Sequence, residues 1–163
     1  CWGLRRLDEG TAALERAVEL NPNCSLAYGS LGTALAIAGR TEEAIANQEI
    51  AIRMNPRDPS IFFRFSGLAL AHYMADDFEA AVLWAERAIH RMPRWYLAHF
   101  LLAASHVALG RHDRARTVAQ ACRVVLPGIS VSEAERMPLD DAAKMREFRQ
   151  RLRDAGFAAA PQS

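Results

Sequence analysis

Histidine and cysteine are the residues of this 163-residue chain best suited to bind metal or act as nucleophiles. His99 and His106 share a helix face, but their seven-residue separation spans about 10.5 Å, too far for both rings to reach one zinc ion. The three cysteines, Cys1, Cys24 and Cys122, have no C-x-x-C spacing. We therefore expect no metal, no cofactor and no disulfide framework, and a reducing, cytoplasmic location.

Signatures of phosphate binding and of nucleophilic catalysis are missing from the sequence. It has no G-x-x-x-x-G-K, G-x-S-x-G or H-E-x-x-H motif. The nearest glycine-rich string, 29–32, falls inside a predicted helix, where close packing explains Gly32. We expect this segment not to be an enzyme.

Arginines concentrate near the C-terminus, where a basic patch could bind nucleic acid. Acidic residues are interleaved with them, however, which favours a solvated and partly paired face. The arginines are Arg146, Arg149, Arg151 and Arg153, and the acidic residues are Asp141, Glu147 and Asp154. With a formal net charge of only +1, the composition indicates no nucleic-acid partner, and a nucleic-acid adaptor is the weakest of three functional hypotheses.

The elements that position these residues are predicted by a periodic pattern of prolines. Each proline follows a helical run with a small residue five positions earlier. The pairs are Ala17 and Pro22, Ala51 and Pro56, Ala88 and Pro93, and Cys122 and Pro127. The first and last proline intervals are 34 residues and the middle one is 37. Because proline ends helices, this spacing predicts repeated helical hairpins.

The repeated unit resembles the tetratricopeptide repeat, whose period is also 34 residues. One repeat carries the pattern as Tyr28, Leu31, Gly32, Leu35, Gly39, Ala44, Gln48, Ala51 and Pro56. The resemblance implies an all-α fold of antiparallel helix hairpins stacked in a right-handed superhelix, with a C-terminal capping helix. In the next repeat Asp76 replaces the turn glycine, and Asp58 and Pro59 predict a first helix that starts one turn early.

The pattern divides the chain into an array over 1–129, a helical cap over 130–157 and a frayed tail over 158–163. The array comprises a half repeat, 1–24, and the repeats 25–58, 59–95 and 96–129. In the cap, a helix from about Asp141 to Asp154 carries one apolar stripe that should cover the last hairpin. The stripe consists of Leu139, Ala142, Met145, Phe148, Leu152 and Ala155.

In this family the first helices of the hairpins line a concave face, which the resemblance marks as the ligand surface. By register, the inward residues form a mostly apolar groove. They are Leu26, Thr33, Ile37, Phe63, Leu70, Tyr73, Met74, Leu97, Phe100 and Val107, with the small residues Gly29, Ser66 and Ala104 between them. Some family members clamp a peptide's terminal carboxylate with lysine, arginine and asparagine. Such a clamp would need these residues at Gly29, Thr33, Phe100 and Ala104, so we do not expect one here.

An apolar groove of this size is expected to be covered, and two occupants remain open. One is a partner's amphipathic helix or extended segment. The other is a neighbouring part of the same polypeptide, such as its upstream part, or a second copy of the chain. If neither applies, these side chains pack against adjacent repeats. The partner is expected to be a protein or peptide, and no membrane insertion is expected because no apolar run approaches the length of a bilayer span.

Two stretches, 55–72 and 152–157, resemble the C-terminal repeat region of bacterial class III nucleotide cyclases and related winged-helix regulators. The resemblance implies a regulatory segment joined to an upstream catalytic or DNA-binding domain. The start at Cys1, without a turn or cap, agrees with a segment cut from a longer protein. We therefore predict a protein-interaction scaffold from a bacterial signalling protein, with a cyclase parent as the enzyme-class alternative.

Overall fold

The structure, a computed structural model, describes residues 7–136 and 141–158. Within these ranges it contains eight α-helices, one 3-10 helix at Val131–Arg136 and no β-strand. The α-helices are α1 (Leu7–Leu20), α2 (Ser25–Ile37), α3 (Thr41–Met54), α4 (Ile61–Met74), α5 (Phe78–Arg91), α6 (Tyr96–Ala108), α7 (His112–Val125) and α8 (Ala142–Asp154). The predicted all-α fold is confirmed. None of the described helices combines the length and the apolarity needed to cross a bilayer.

The helices form two layers. Helices α2, α4 and α6 pack on one another in sequence and form the inner layer, and each also packs on the following helix, α3, α5 or α7, which belong to the outer layer. Helix α1 packs on α2, as the second helix of a preceding hairpin would. The inner helices carry the larger buried side chains, while the outer helices contribute mostly buried alanines. The small residues let the two layers approach closely.

The turns inside the hairpins depend on residues that accept a left-handed backbone. Gly39 and Gly110 have φ of 78° and 72°, and Asp76 reaches φ of 60° at the corresponding position. Glycine adopts this conformation without a steric penalty, and aspartate tolerates it better than most residues. The replacement of a turn glycine by Asp76 therefore leaves the hairpin geometry unchanged.

Gln48 is a large polar side chain at the position where the two following repeats have Ala85 and Ala119. It is fully buried, and its amide donates to the Gly29 carbonyl oxygen at 2.9 Å and to Thr33 Oγ1 at 3.0 Å. Two glycines leave room for it: a Cβ at Gly32 would lie 2.9 Å from both Gln48 Cγ and the Ala44 carbonyl oxygen, and a Cβ at Gly67 would overlap the Gln48 amide. The Gly32 backbone therefore lies closely against Ala44 and Gln48 of α3.

Helix α4 does not start one turn early, so that prediction is wrong. Asp58 and Pro59 lie in a turn, and the helix begins at Ile61 after the N-cap Ser60. The Asp58 carboxylate accepts from the Ser60 amide at 2.8 Å, and the Asp58 carbonyl oxygen accepts from the Ile61 amide at 3.0 Å. The longer proline interval therefore goes mainly into a longer turn before α4.

Helix α8 agrees closely with the predicted C-terminal helix. The Asp141 side chain caps it by accepting from the amides of Ala143 and Lys144 at 2.7 and 3.0 Å. Gly156, with φ of 94°, follows its C-terminus. In the apolar stripe Met145, Phe148, Leu152 and Ala155 are buried, whereas Ala142 is exposed. Leu139, the start of the half repeat at 1–6 and most of the predicted tail, 159–163, lie outside the described residues.

Candidate functional site

The predicted groove residues all lie on the inner layer, but they differ in accessibility. Leu26 and Phe63 are exposed, and Thr33 and Leu97 are partly exposed. The others are buried, namely Ile37, Leu70, Tyr73, Met74, Phe100 and Val107, together with Gly29, Ser66 and Ala104. Exposure of the predicted groove residues therefore depends on their position along the helix. The apolar residues in the first turn are exposed or partly exposed, and those further along are buried.

Helix α8 covers the C-terminal end of the inner layer. The Phe148 ring meets the Tyr73 ring edge to face, with centroids 5.3 Å apart. Arg151 donates to the Tyr73 hydroxyl at 2.8 Å, lies 4.8 Å from the Phe78 ring centroid and pairs with Glu147. Burial raises the pKa of Tyr73 to about 12, so the phenol is neutral at physiological pH. Its oxygen accepts the hydrogen bond from the Arg151 guanidinium.

The residues that follow α8 extend this cover over α6. Phe157 meets Phe100 edge to face with centroids 4.9 Å apart, and Phe100 is fully buried. The preceding carbonyl oxygen, of Gly156, accepts from Arg123 Nη1 at 2.8 Å. At the start of α8, Lys144 forms an ion pair with Asp76 in the turn between α4 and α5. We call this region the covered half. It consists of Tyr73, Phe78 and Phe100 together with the residues that cover them, Phe148 and Arg151 of α8 and Phe157 after α8.

The groove was predicted to be a partner-binding surface that something covers, and in the covered half the cover is the chain's own C-terminal segment. Tyr73 and Phe100 are buried under the chain's own C-terminal segment, so a partner has no access to them. This outcome agrees with the hypothesis that a neighbouring part of the same polypeptide fills the groove. The predicted cover of the last hairpin is confirmed at Phe100, and it reaches one repeat further back, to Tyr73.

The opposite end of the inner layer is open. Leu26, Phe63 and Leu97 occupy the same register position in the first turns of α2, α4 and α6. Leu26 is 64% exposed and Phe63 is 42% exposed. The Phe63 ring packs against Phe62 and against Trp95, the N-cap residue of α6, with centroids 4.2 and 4.8 Å away. This packing holds the exposed ring in place.

Arg64 completes this end of the layer. It stands where the neighbouring repeats have Ala27 and Ala98, and its guanidinium lies on α2 at Gly29, where a Cβ would overlap it. Its side chain is buried, and burial lowers its pKa. We call Leu26, Phe63, Arg64 and Leu97 the open strip. Sequence reasoning missed Arg64, although it is the only charged residue between Ile61 and Ala75 if histidine is neutral.

Nucleophilic and metal-binding chemistry has little support in the structure. Cys122 is fully buried, and desolvation raises its pKa to about 11, so the thiol stays protonated at neutral pH. His99 and His106 are buried, with His99 Nε2 bonded to the Pro93 carbonyl oxygen at 2.8 Å. His72 lies 3.2 Å from the Asp77 carboxylate. In the described part of the chain, no cluster of three or more metal-ligating residues occurs.

Among the C-terminal arginines, Arg151 is engaged within the fold, whereas Arg146 and Arg153 are exposed. Arg151 is engaged by Tyr73, Phe78 and Glu147. Arg153 donates to the Gln150 side chain at 3.4 Å, and Arg146 is exposed. Arg151 therefore serves the docking of α8 and is not available to a phosphate backbone.

Comparison with known proteins identifies the class of fold. Residues 2–60 match the family model described as tetratricopeptide repeat. The fold resembles crystal structures of MamA (TM-score 0.66, 20% identity, 91% of this chain and 86% of that chain) and of a thermophilic TPR protein from Thermus thermophilus (0.65, 18%, 93% and 91%). It also resembles YrrB, a TPR protein with an unusual peptide-binding site (0.59, 19%, 93% and 79%).

The chain has the fold of a tetratricopeptide-repeat solenoid. The family match covers α1 to α3, that is the half repeat and the first hairpin, and the structural resemblance extends that fold over more than nine tenths of the chain. No curated protein matches the chain in sequence.

Proposed function

We propose that this chain is a protein-interaction scaffold that binds a peptide segment of a partner on the open strip. The observation that carries the proposal is the exposure of Leu26 and Phe63, at 64% and 42%, on a layer whose other apolar residues are buried or only partly exposed. An exposed apolar surface held rigid by its neighbours is typical of a protein-binding site.

The geometry favours a segment that lies across the inner helices. Leu26, Phe63 and Leu97 come from successive repeats, and packed helices lie about 8–10 Å apart. An amphipathic helix or an extended peptide with apolar side chains could contact several of these positions. YrrB, which has the same fold, carries a peptide-binding site, and this supports the class of ligand.

The proposal also includes a larger context. We infer that the chain is the C-terminal regulatory part of a longer bacterial signalling protein in the cytoplasm, with a class III nucleotide cyclase domain upstream. The resemblance of 55–72 and 152–157 to the repeat regions of such cyclases supports this context. The coding sequence upstream of Cys1 tests it: a cyclase domain in the same reading frame is expected, and an unrelated domain would contradict it.

Selection from a display library of random peptides tests peptide binding directly. We expect enriched peptides to bind the chain and to lose at least about tenfold in affinity with Phe63→Ser, because an aromatic anchor is removed. Circular dichroism should show unchanged helicity, since Phe63 is half-exposed. Fluorescence anisotropy with the enriched peptide gives both affinities.

Leu83→Ser is the matched control. Leu83 is 47% exposed, close to Phe63, but lies on α5 in the outer layer. Binding should be unaffected by this change. If Leu83→Ser abolishes binding while Phe63→Ser does not, the binding site is on the outer layer and the proposal fails. It also fails if no peptide is enriched.

A further inference from the structure

Arg64 carries a charge that the fold itself does not neutralise. The residue is 7% exposed, and among the described residues its guanidinium has no hydrogen-bond or ion-pair partner. The nearby carboxylate of Asp58 attracts it but forms no ion pair with it, and that carboxylate accepts from the Ser60 amide in the turn before α4. A buried, unpaired cation is costly, and the two neighbouring repeats have alanine in this position.

Two further cations lie in the loops at this end of the inner layer. The loops that lead into α4 and α6 carry the exposed residues Arg57 and Arg94, and neither is ion-paired within the described part of the chain. These loops lie at the end of the inner layer where the helix N-termini are, and helix N-termini add partial positive charge. The open strip therefore combines apolar side chains with the Arg64 guanidinium, and the loops beside it add two arginines against the one carboxylate of Asp58.

We propose that the open strip recognises a partner segment with an aspartate or glutamate side chain flanked by apolar residues, and that Arg64 binds this carboxylate. This inference rests on the proposed peptide-binding function and specifies the ligand. The guanidinium offers parallel donors that match the two carboxylate oxygens. Leu26 and Leu97, one repeat away on either side, contact the flanking apolar residues.

A side-chain carboxylate fits this site better than a chain terminus. Apolar residues lie on both sides of Arg64. Leu26 is on α2, which the guanidinium contacts at Gly29, and Phe63, in the first turn of α4, packs on Trp95 at the start of α6. The additional cations, Arg57 and Arg94, lie in the loops before two different helices, α4 and α6. A bound segment can therefore pass over Arg64 without ending there.

The test compares two synthetic libraries of nine-residue peptides with acetylated and amidated ends. Both have random flanking residues, and the central residue is glutamate in one library and glutamine in the other. We expect the tightest glutamate peptides to bind at least about tenfold more tightly than their glutamine counterparts, as a charge-assisted pair predicts. The difference should shrink as salt is added.

Arg64→Met should lower the affinity of glutamate peptides to that of the glutamine peptides, because methionine keeps the length of the side chain without its charge. Arg91→Met, on the exposed surface of α5, removes the same charge from the outer layer and should leave the ratio unchanged. The comparison of the two libraries on the unaltered chain decides the question even if Arg64→Met fails to fold.

Several results would overturn the inference. Equal binding of both libraries, with loss at Phe63→Ser, would remove the role of Arg64 and leave peptide binding intact. Tight binding only when the peptide end is an uncapped carboxylate would assign Arg64 to a chain terminus. A dimer in sedimentation experiments that Phe63→Ser dissociates would assign the open strip to a second copy. If no peptide binds, the proposed function fails together with the inference.

Discussion

Helix α4 takes part in both regions of the inner layer, and its two ends differ in what covers them. At its C-terminal end Tyr73 lies under Phe148 and Arg151 of α8. At its N-terminal end Phe63 is exposed and packs against the aromatic rings of Phe62 and Trp95. The same helix therefore contributes core at one end and surface at the other. Repeat register alone does not determine which residues a partner can reach, because the segment that follows the array covers part of the face.

The largest expected contrast is between Phe100 in the covered half and Phe63 in the open strip. Phe100→Ala removes a fully buried ring from its contacts with Phe157 and Tyr96 and should lower the free energy of unfolding by about 3–5 kcal/mol. Phe63→Ala should cost less than about 1.5 kcal/mol, because the ring is already half-exposed. Urea unfolding of both variants measures the difference, and similar costs would show that the two regions are equally covered.

A smaller effect is expected where the layers pack beneath the open strip. Ala51 is 2% exposed on α3, and Ala51→Leu should overpack the contact and lower the free energy of unfolding by about 1–3 kcal/mol. The control is Glu49→Ala on the exposed face of the same helix, which should change it by no more than about 0.5 kcal/mol. Equal and small shifts in thermal midpoint would mean that the register of the repeats is wrong.

Arg64→Met should change stability in the opposite direction. It replaces an unpaired, buried cation by an apolar side chain and should raise the free energy of unfolding by about 1 kcal/mol. No such gain is expected for Arg151→Met in the covered half, because Arg151 is bonded to Tyr73 and Glu147. Chemical denaturation of the two variants compares them. Loss of stability in Arg64→Met would mean that the guanidinium is already satisfied.

A modest pH dependence should originate in α6. Burial lowers the pKa of His99 and of His106 below the ordinary value, and Arg111 and Arg114 lower that of His106 further, against Glu79 and Glu86. The unfolded chain therefore takes up protons first, and the free energy of unfolding should fall as the pH drops from about 7.5 through 6.5. The variant with both histidines changed to glutamine should show a flatter profile over that range. An unchanged slope would contradict the burial of these rings.

Much of the fold follows from local chemistry that is visible in the sequence. The prolines end the outer helices and the recurring alanines mark where the layers touch, so the hairpins could be placed from residues such as Ala51 and Pro56. The start of α4 could not, because Asp58 is equally suited to cap a helix or a turn.

The functional face was predicted less well, for a physical reason. Whether Tyr73 is a ligand contact or a core residue depends on where α8 docks. The apolar stripe of α8 shows that the helix packs on the array, but it does not specify which residues, distant in sequence, the helix contacts. Arg64 could have been noticed from its charge within an apolar helix, opposite Gly29. Its burial without a partner becomes visible only when α2 and α4 are packed together.

The central claim is that α8 and the residues after it occupy one half of the inner layer and leave the other half free for a peptide. Nuclear Overhauser effects measured with a saturating peptide test this most directly. We predict contacts from Phe148 to Tyr73 and from Phe157 to Phe100 that persist, together with new contacts from the peptide to Phe63. Peptide contacts to Tyr73 and Phe100 that replace those of Phe148 and Phe157 would contradict the account.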